Sequence, residues 1–332
     1  MIKFVIEGFL EWKSAVLRKE YELWKNALDN RGITCYTIIK DKEGKYYMLN
    51  PKWLVEDFDA DNRFGDLADE AKRQGCDVRV EKYIPFEGGK LDFFKDDDIV
   101  LTQTSINLAR QIQKQTNWKP GPWLTAEHYE CTHYYPILQD AGIPLLNGNC
   151  LFGRRRMIEE HLKALLHEFG EPGSNRIFIR PSSGLKPFTG MVFIAQEPHW
   201  SQDWFWVREG TTEDDILLVA EPTRHTNRIV SEWRFIAAEG EILTGSQYKK
   251  ESESDYSPKY DKEAHELATT TAAAYQPDPM YTVDICKTAD NNYYVMELNS
   301  FSCAGLYGCD IAPVVERAIQ IAKKELTNGS SS

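Results

Sequence analysis

The segments Thr282-Val283-Asp284-Ile285 and Val295-Met296-Glu297-Leu298-Asn299-Ser300 decide the reading of this chain. Both have the apolar and β-branched content of strands, and Asp290-Asn291-Asn292 between them is turn material. An antiparallel hairpin about 288–292 puts Asp284 directly opposite Glu297. Side chains on a strand repeat every two residues, so Glu297 and Asn299 share one face. Three oxygen-bearing side chains then project from one patch of sheet, among apolar neighbours that favour burial. Two facing carboxylates repel unless a cation lies between them. Hard oxygen donors combined with phosphate oxygens are how Mg2+ is held in ATP sites. A solvated acidic sheet face is the plainer alternative.

Two clusters lie upstream. Leu217-Leu218-Val219-Ala220-Glu221-Pro222 is an apolar strand running into an acid and a proline, the pattern of a hinge whose backbone could read an adenine edge. It is followed by Ile229-Val230-Ser231-Glu232-Trp233-Arg234-Phe235-Ile236, where Arg234 faces away from Trp233 and Phe235 on a strand. Lining a cleft, its guanidinium would hold a transferring phosphoryl group; otherwise it is a surface arginine. Further upstream, Ile179-Arg180-Pro181-Ser182-Ser183-Gly184-Leu185-Lys186-Pro187-Phe188-Thr189-Gly190 joins two cations through small residues. The Ser182, Ser183 and Gly184 backbone can wrap an anion while Arg180 and Lys186 supply full charges. This is not a Walker A loop, which needs a glycine-rich run ending in Lys-Ser/Thr at a helix start. A hairpin turn with solvated charges remains the bland alternative.

The rest of the chain reads as mixed α/β. A strand over 4–6, a helix over about 9–28 and a hairpin of 33–39 with 46–49 are expected first. A helix over about 64–75 and strands over about 77–82 and 98–101 follow. Trp118-Lys119-Pro120-Gly121-Pro122-Trp123 excludes a helix interior. Helical spacing resumes over about 125–141, then a short strand and turn over 143–148, and a helix near 153–168 with Met157, Leu162, Leu165 and Leu166 inward. Strands are expected at 177–179, 191–194 and 216–220, and a hairpin at 233–237 with 242–243. The charged stretch 249–263 has the composition of a mobile loop, and helices over about 261–275 and 311–326 complete the pattern. No internal repeat is evident.

Composition narrows the function. With 332 residues, more than one packed unit is expected. A net charge of −12 argues against nucleic acid and anionic membrane as partners. No apolar run reaches the roughly 18 residues needed to span a bilayer. Met1 to Glu7 turns polar too quickly for a signal peptide. Seven scattered cysteines make a poor disulfide framework and point to a reducing, cytoplasmic setting.

Taken in order, the three clusters resemble the ATP-grasp superfamily, in which two subdomains grip ATP between them. The resemblance covers about 145 to 326. It implies an ATP-grasp fold, α/β with α+β subdomains, preceded by an N-terminal α/β pre-ATP-grasp domain. The implied divisions are a substrate-side domain at 1–145, a small subdomain with the phosphate loop at 146–221, a large subdomain with the magnesium site at 222–328, and a frayed tail at 329–332. It implies an ATP-dependent carboxylate–amine ligase that forms an acyl-phosphate and releases ADP and phosphate, with ATP and Mg2+ as cofactors. Small-molecule, peptide or protein carboxylate and amine substrates would be the partners.

Carried onto this sequence, the resemblance makes Arg180 and Lys186 phosphate ligands, alongside Ser182, Ser183 and Gly184. Ala220 and Glu221 fall at the adenine hinge, with Glu232 on the next strand. Arg234 matches the arginine that meets the γ-phosphate and the acyl-phosphate, so Arg234, Lys186 and Arg180 are the catalytic candidates. Asp284, Glu297 and Asn299 match the magnesium ligands, and Ser300, Ser302, Gly305 and Tyr307 fall in the loop that shapes the acid pocket. Arginine at position 180, with Arg234 and Lys186, resembles the clade named for two arginines and a lysine, which includes phage-encoded proteins mostly inferred to be peptide or protein ligases. One departure stands out: where peptide-ligating relatives carry further arginines, this chain has Gln247-Tyr248-Lys249-Lys250.

Other features are set aside. His128, Cys131 and His133 do not share a helical face as a zinc site requires. Cys303 and Cys309 have no histidine in a shared motif to activate a thiolate. An ATP-binding regulatory protein, or a kinase on the same fold, is the competing expectation.

Overall fold

The structure is a computed structural model, described here for residues 37–40, 46–49, 51–57, 63–82, 91–96, 98–194, 199–223, 227–251 and 253–329. The strand expected at 4–6 and the helix at 9–28 lie outside the described residues; of the tail expected at 329–332, Gly329 ends the last helix and 330–332 lie outside them. Of the first expected hairpin, β1 (Thr37–Lys40) and β2 (Tyr46–Leu49) are described and pair antiparallel.

A parallel sheet follows, built from β3 (Lys52–Asp57), β4 (Asp77–Lys82), β5 (Ile99–Gln103) and β6 (Lys119–Gly121) in the order β4-β3-β5-β6. Helices α1 (Phe64–Arg73) and α2 (Ile106–Gln115) make the crossovers. β3 and β5 are buried on both faces, as central parallel strands are, which explains their unbroken apolar runs. Pro120 lies in β6 at the sheet edge, where a missing N–H costs no ladder bond.

A 3-10 turn (Ala126–Tyr129) and helix α3 (Cys131–Asp140) lead to a small antiparallel sheet. Its strands are β7 (Cys150–Arg154), β8 (Arg176–Pro181), β9 (Met191–Ile194) and β10 (Ile216–Ala220), in the order β7-β10-β8-β9. One face, with Ile177, Ile179, Leu217 and Val219, packs on helices α4 (Arg155–Phe169) and α5 (His199–Gly210). By alternation Phe178 and Arg180 belong to the opposite face.

The large sheet is fully antiparallel, in the order β13-β12-β11-β14-β15. Its strands are β11 (Ile229–Ala238), β12 (Glu241–Lys250), β13 (Glu253–Ser257), β14 (Met280–Thr288) and β15 (Tyr293–Ser300), with helix α6 (Lys262–Ala274) between β13 and β14. Trp233, Phe235, Val283 and Ile285 form one core with the alanine face of α6, Ala264, Ala268 and Ala272. Opposite Phe235 on β12 stands Gly245, where a Cβ would lie 2.3 Å from the phenyl ring, so only glycine lets the ring lie flat on its neighbour. The last helix, α7 (Ile311–Gly329), is wedged between sheets. Val314, Val315, Ala318 and Ile319 share one core with Trp53, Val55, Phe64 and Leu67 of the parallel-sheet unit and Ile236, Ala238 and Met280 of the large sheet. Among the described residues, no helix is long and apolar enough to cross a membrane.

Four local expectations are corrected. Residues 143–148 hold no strand, only a single bridge from Leu145 to Val295. The expected helix at 153 starts at Arg155, after β7, and Met157 is 45% exposed. The helix departs from helical geometry at His161 (φ −110°, ψ 15°), which breaks the inward phase assumed for Met157; Ile158 and Leu165 are the buried pair. The stretch 249–263 is largely regular, with β12 reaching Lys250 and β13 pairing beside it as a charged edge strand, a composition that deters edge-to-edge association. Helix α5 is an unexpected element. It buries Trp204 and Val207 but exposes Phe205 and Trp206, so its apolar spacing is blurred by aromatics.

Candidate functional site

The β14–β15 ladder pairs Asp284 with Glu297 and Thr282 with Asn299, the register expected from the turn. A register shift just past Asp284 leaves Met296 as an extra residue on β15. The three side chains converge: Asn299 Nδ2 donates to Asp284 Oδ2 and to Glu297 Oε1, both at 3.2 Å. On the adjacent strand Arg234 is the direct partner of Asp284. Its Nε donates to Asp284 Oδ1 at 2.8 Å and its Nη2 to Oδ2 at 2.6 Å, a bidentate fork. The remaining Nη1 donates to the Gly305 carbonyl at 3.0 Å, which ties the loop after β15 to the same arginine.

Two cations reach the donors from the small sheet. Arg180 Nη2 donates to Glu297 Oε2 at 3.1 Å, and Nη1 to the Met296 carbonyl at 3.4 Å. Lys186 Nζ donates to Glu297 Oε1 at 2.9 Å and also to Asn299 Oδ1. Lys186 has φ 48°, so the loop turns through the left-handed region to aim its ammonium inward. Arg180, Lys186 and Arg234 therefore meet two carboxylates and one amide in one nest.

Electrostatics follow from this packing. Burial alone would raise the Glu297 carboxyl, but Lys186 and then Arg180 outweigh it and hold the group well below the usual carboxylate range. Burial pushes Asp284 upward while Arg234 pulls it back, and burial depresses Arg234 while Asp284 raises it. Two short guanidinium–carboxylate bonds keep the pair ionised at neutral pH.

The donor set suits magnesium by one direct sign: the Lys186 ammonium already sits between the Glu297 carboxylate and the Asn299 amide oxygen, so the nest accepts a cation there. Among the described residues no cluster of three or more His, Cys, Asp and Glu could hold a metal. Any metal at this site would therefore use the neutral Asn299 oxygen as its third protein donor, leaving the rest to phosphate and water.

The other sequence candidates divide. Ser182 Oγ accepts from the Thr132 amide at the start of α3, at 3.1 Å, and Ser183 Oγ accepts from the Leu185 amide within the loop, at 3.2 Å. Gly184 is pressed on the 126–129 turn, where a Cβ would lie 2.6 Å from the Ala126 carbonyl and from Tyr129 Cβ. Ala220 is buried and Glu221 half-buried at the end of β10. Glu232 pairs with Lys249 at 3.3 Å and lines a cleft of about 250 Å3 with Thr223 and Arg228. Ser300 and Ser302 turn away from the nest: Ser300 Oγ donates to the Trp123 carbonyl, and Ser302 Oγ accepts from the Trp123 amide at 3.0 Å. They anchor the loop to the parallel-sheet unit, as does Gln103, whose Nε2 donates to the carbonyls of Phe301 and Ala304. Tyr307 lies beside the nest, its ring centroid 4.8 Å from the Arg234 guanidinium.

A second cleft, of about 560 Å3, lies between α2 and the loop after β8, with Asn107 and Arg110 on one wall and Ser183, Lys186 and Pro187 on the other. His128 and His133 lie 5.5 Å apart, with His128 Nδ1 2.6 Å from the Pro277 carbonyl. Tyr248, absent from the sequence candidates, lies 5.8 Å from the Arg234 guanidinium; the one hint was its place where arginines were expected.

A cation-bearing loop on one antiparallel sheet thus meets the acid–amide cluster on another. The chain belongs to the ATP-grasp domain family, and within it to the second family of the clade named for two arginines and a lysine, whose model matches residues 152–317, half of the sequence. Members of the ATP-grasp family are ATP-dependent ligases that form carbon–nitrogen bonds using ATP and Mg2+. Among solved structures the chain is similar to the D-cycloserine synthetase DcsG, at 13% identity, 82% of this chain, 100% of that one and TM-score 0.56. It is also similar to D-alanyl-alanine synthetase A from Vibrio cholerae O1 biovar eltor, at 12% identity, 86% of this chain, 100% of that one and TM-score 0.52. At these identities the likeness shows a shared fold. No curated protein matches the sequence.

Proposed function

We propose that this chain is a carboxylate–amine ligase that works through an acyl-phosphate and releases ADP and phosphate, acting on a small-molecule, peptide or protein acid. The observation that carries the reading is the convergence of Asp284, Glu297 and Asn299 with Arg180, Lys186 and Arg234. Asp284, Glu297 and Asn299 would hold magnesium, which supplies charge neutralisation at the β- and γ-phosphates. Arg180 and Lys186 exchange Glu297 and Asn299 for phosphate oxygens, which they match in charge. Arg234, fixed in orientation by Asp284 and Gly305, stabilises charge on the transferring phosphoryl group.

A carboxylate oxygen attacks the γ-phosphorus and the P–O bond to ADP breaks. An amine nitrogen then attacks the acyl carbon, phosphate departs and the amine gives up a proton. Ala220 and Glu221 fall at the hinge that would face the adenine, and the cleft beside Lys186 offers the substrates a path. The division near 145 and 221 into substrate-side, phosphate-loop and donor-sheet parts belongs to the same proposal.

The test is incubation with Mg–ATP, pooled acids and hydroxylamine. A trapped hydroxamate with stoichiometric ADP is expected. Tight ATP binding without turnover across a broad acid panel would point to a regulatory protein instead, and a stable phosphorylated product to a kinase.

A further inference from the structure

Beside Arg234 three tyrosines form a parallel stack. The Tyr307 ring lies between Tyr248, at 4.8 Å and 20°, and Tyr256, at 5.5 Å and 11°. Each comes from an irregular backbone. The β11–β12 ladder passes from Glu232↔Lys249 to Trp233↔Gln247, which leaves Tyr248 as an extra residue. The β12–β13 ladder passes from Gln247↔Ser257 to Lys249↔Ser254, so Tyr256 also falls in the interruption. Tyr307 has φ 47°, a left-handed conformation that is costly for a bulky side chain. Two bulges and one strained residue bring three rings together, and bulges beside active sites re-aim side chains.

The stack reaches solvent at one end. Tyr256 is 40% exposed, and Tyr307 is half-buried. The backbone of Tyr307 is pinned, since Arg63 Nη1 donates to its carbonyl at 2.7 Å and to that of Cys309 at 3.3 Å. Because these bonds fix the backbone, a change of the Tyr307 rotamer would not itself require the loop to open. A ring that took its place would lie within cation–π distance of Arg234, whose guanidinium is 4.8 Å from the Tyr307 centroid.

Resting on the ligase reading, we propose that Tyr248 and Tyr256 form an aromatic slot selecting a carboxylate substrate that bears a planar ring, and that Tyr307 is the slot's internal occupant until that substrate arrives. The substrate is an arylalkyl carboxylate, its ring stacked between the two tyrosines and its carboxylate turned to Arg234. The Tyr248 ring offers a flat, uncharged face to such a group.

The probes are 3-phenylpropanoate and its saturated counterpart 3-cyclohexylpropanoate, titrated calorimetrically into the full chain with a non-hydrolysable Mg–ATP analogue. The planar acid is expected to bind about two- to tenfold more tightly, the range of one stacked aromatic pair. Tyr256→Leu should erase that preference. Tyr307→Gly should tighten binding of the planar acid, because an internal competitor is gone, whereas a purely structural tyrosine would weaken it. Equal binding of the two acids, binding of neither, or weakening by Tyr307→Gly overturns the slot. Hydroxamate formation read in parallel separates the two claims. The expected binding pattern without hydroxamate removes the ligase reading and leaves the slot, and hydroxamate without planar preference does the reverse.

Discussion

Lys186 and Glu297 are 111 positions apart and meet at 2.9 Å, an ion pair that joins the loop after β8 of the small sheet to β15 of the large one. Arg180 grips the other Glu297 oxygen, so one carboxylate holds both cations of the loop. Under the proposed function, nucleotide binding would exchange these contacts for phosphate and metal.

Glu297→Ala removes a proposed metal ligand and the partner of two cations. ADP release should fall by about two to three orders of magnitude or more, comparable with loss of a transition-state electrostatic contact. Near-normal ATP consumption in this variant would remove the metal assignment.

Arg234→Lys keeps one charge but cannot reproduce the fork to Asp284 or the third bond to Gly305. Steady-state kinetics should show kcat reduced by about 10²–10³, with a smaller change in the KM for ATP. An effect on KM alone would mean that Arg234 binds the ground state and does not assist transfer.

Acid stability should report on Glu297. Its folded carboxyl is held below the ordinary value of 4.5, so the unfolded chain takes up the proton first as pH falls. Its contribution is full above that ordinary value and is lost as pH drops through the lowered folded one. Glu297→Gln should cost about 1–3 kcal/mol near neutrality. Urea midpoints compared from about pH 7 down to about pH 3 should show the gap to the parent protein narrowing towards acid. A gap that stays constant contradicts the ion pairs.

Gly184→Ala places a methyl group 2.6 Å from the Ala126 carbonyl and Tyr129 Cβ. The neighbours are backbone and a buried side chain, so the loop must yield, at about 1–3 kcal/mol. Thermal melting should show that loss, and the KM for ATP should rise because Lys186 moves with the loop.

Much of this was legible in the sequence where local pattern and tertiary structure agree. The Asp284–Glu297 register follows from the turn at 290–292, and strand alternation turns Arg234 away from Trp233 and Phe235, though its pairing with Asp284 comes from the ladder alone. What escaped depends on long-range contact. Ser300 and Ser302 look like pocket residues in a small-residue loop, yet their hydroxyls meet Trp123, some 177 to 179 positions away. The bulge at Tyr248 arises from pairing on two sides, which no single strand's pattern encodes. The charged edge strand β13 resembles a loop in composition because edges carry charge for solubility.

A crystal of the chain grown with ADP and Mn2+ as a magnesium substitute, read by anomalous scattering, puts the donor set to the test. The expected result is a manganese peak bound by Asp284, Glu297 and Asn299, with Lys186 withdrawn from Asn299 onto phosphate. Manganese elsewhere, with Lys186 still bridging Glu297 and Asn299 beside bound ADP, would contradict it.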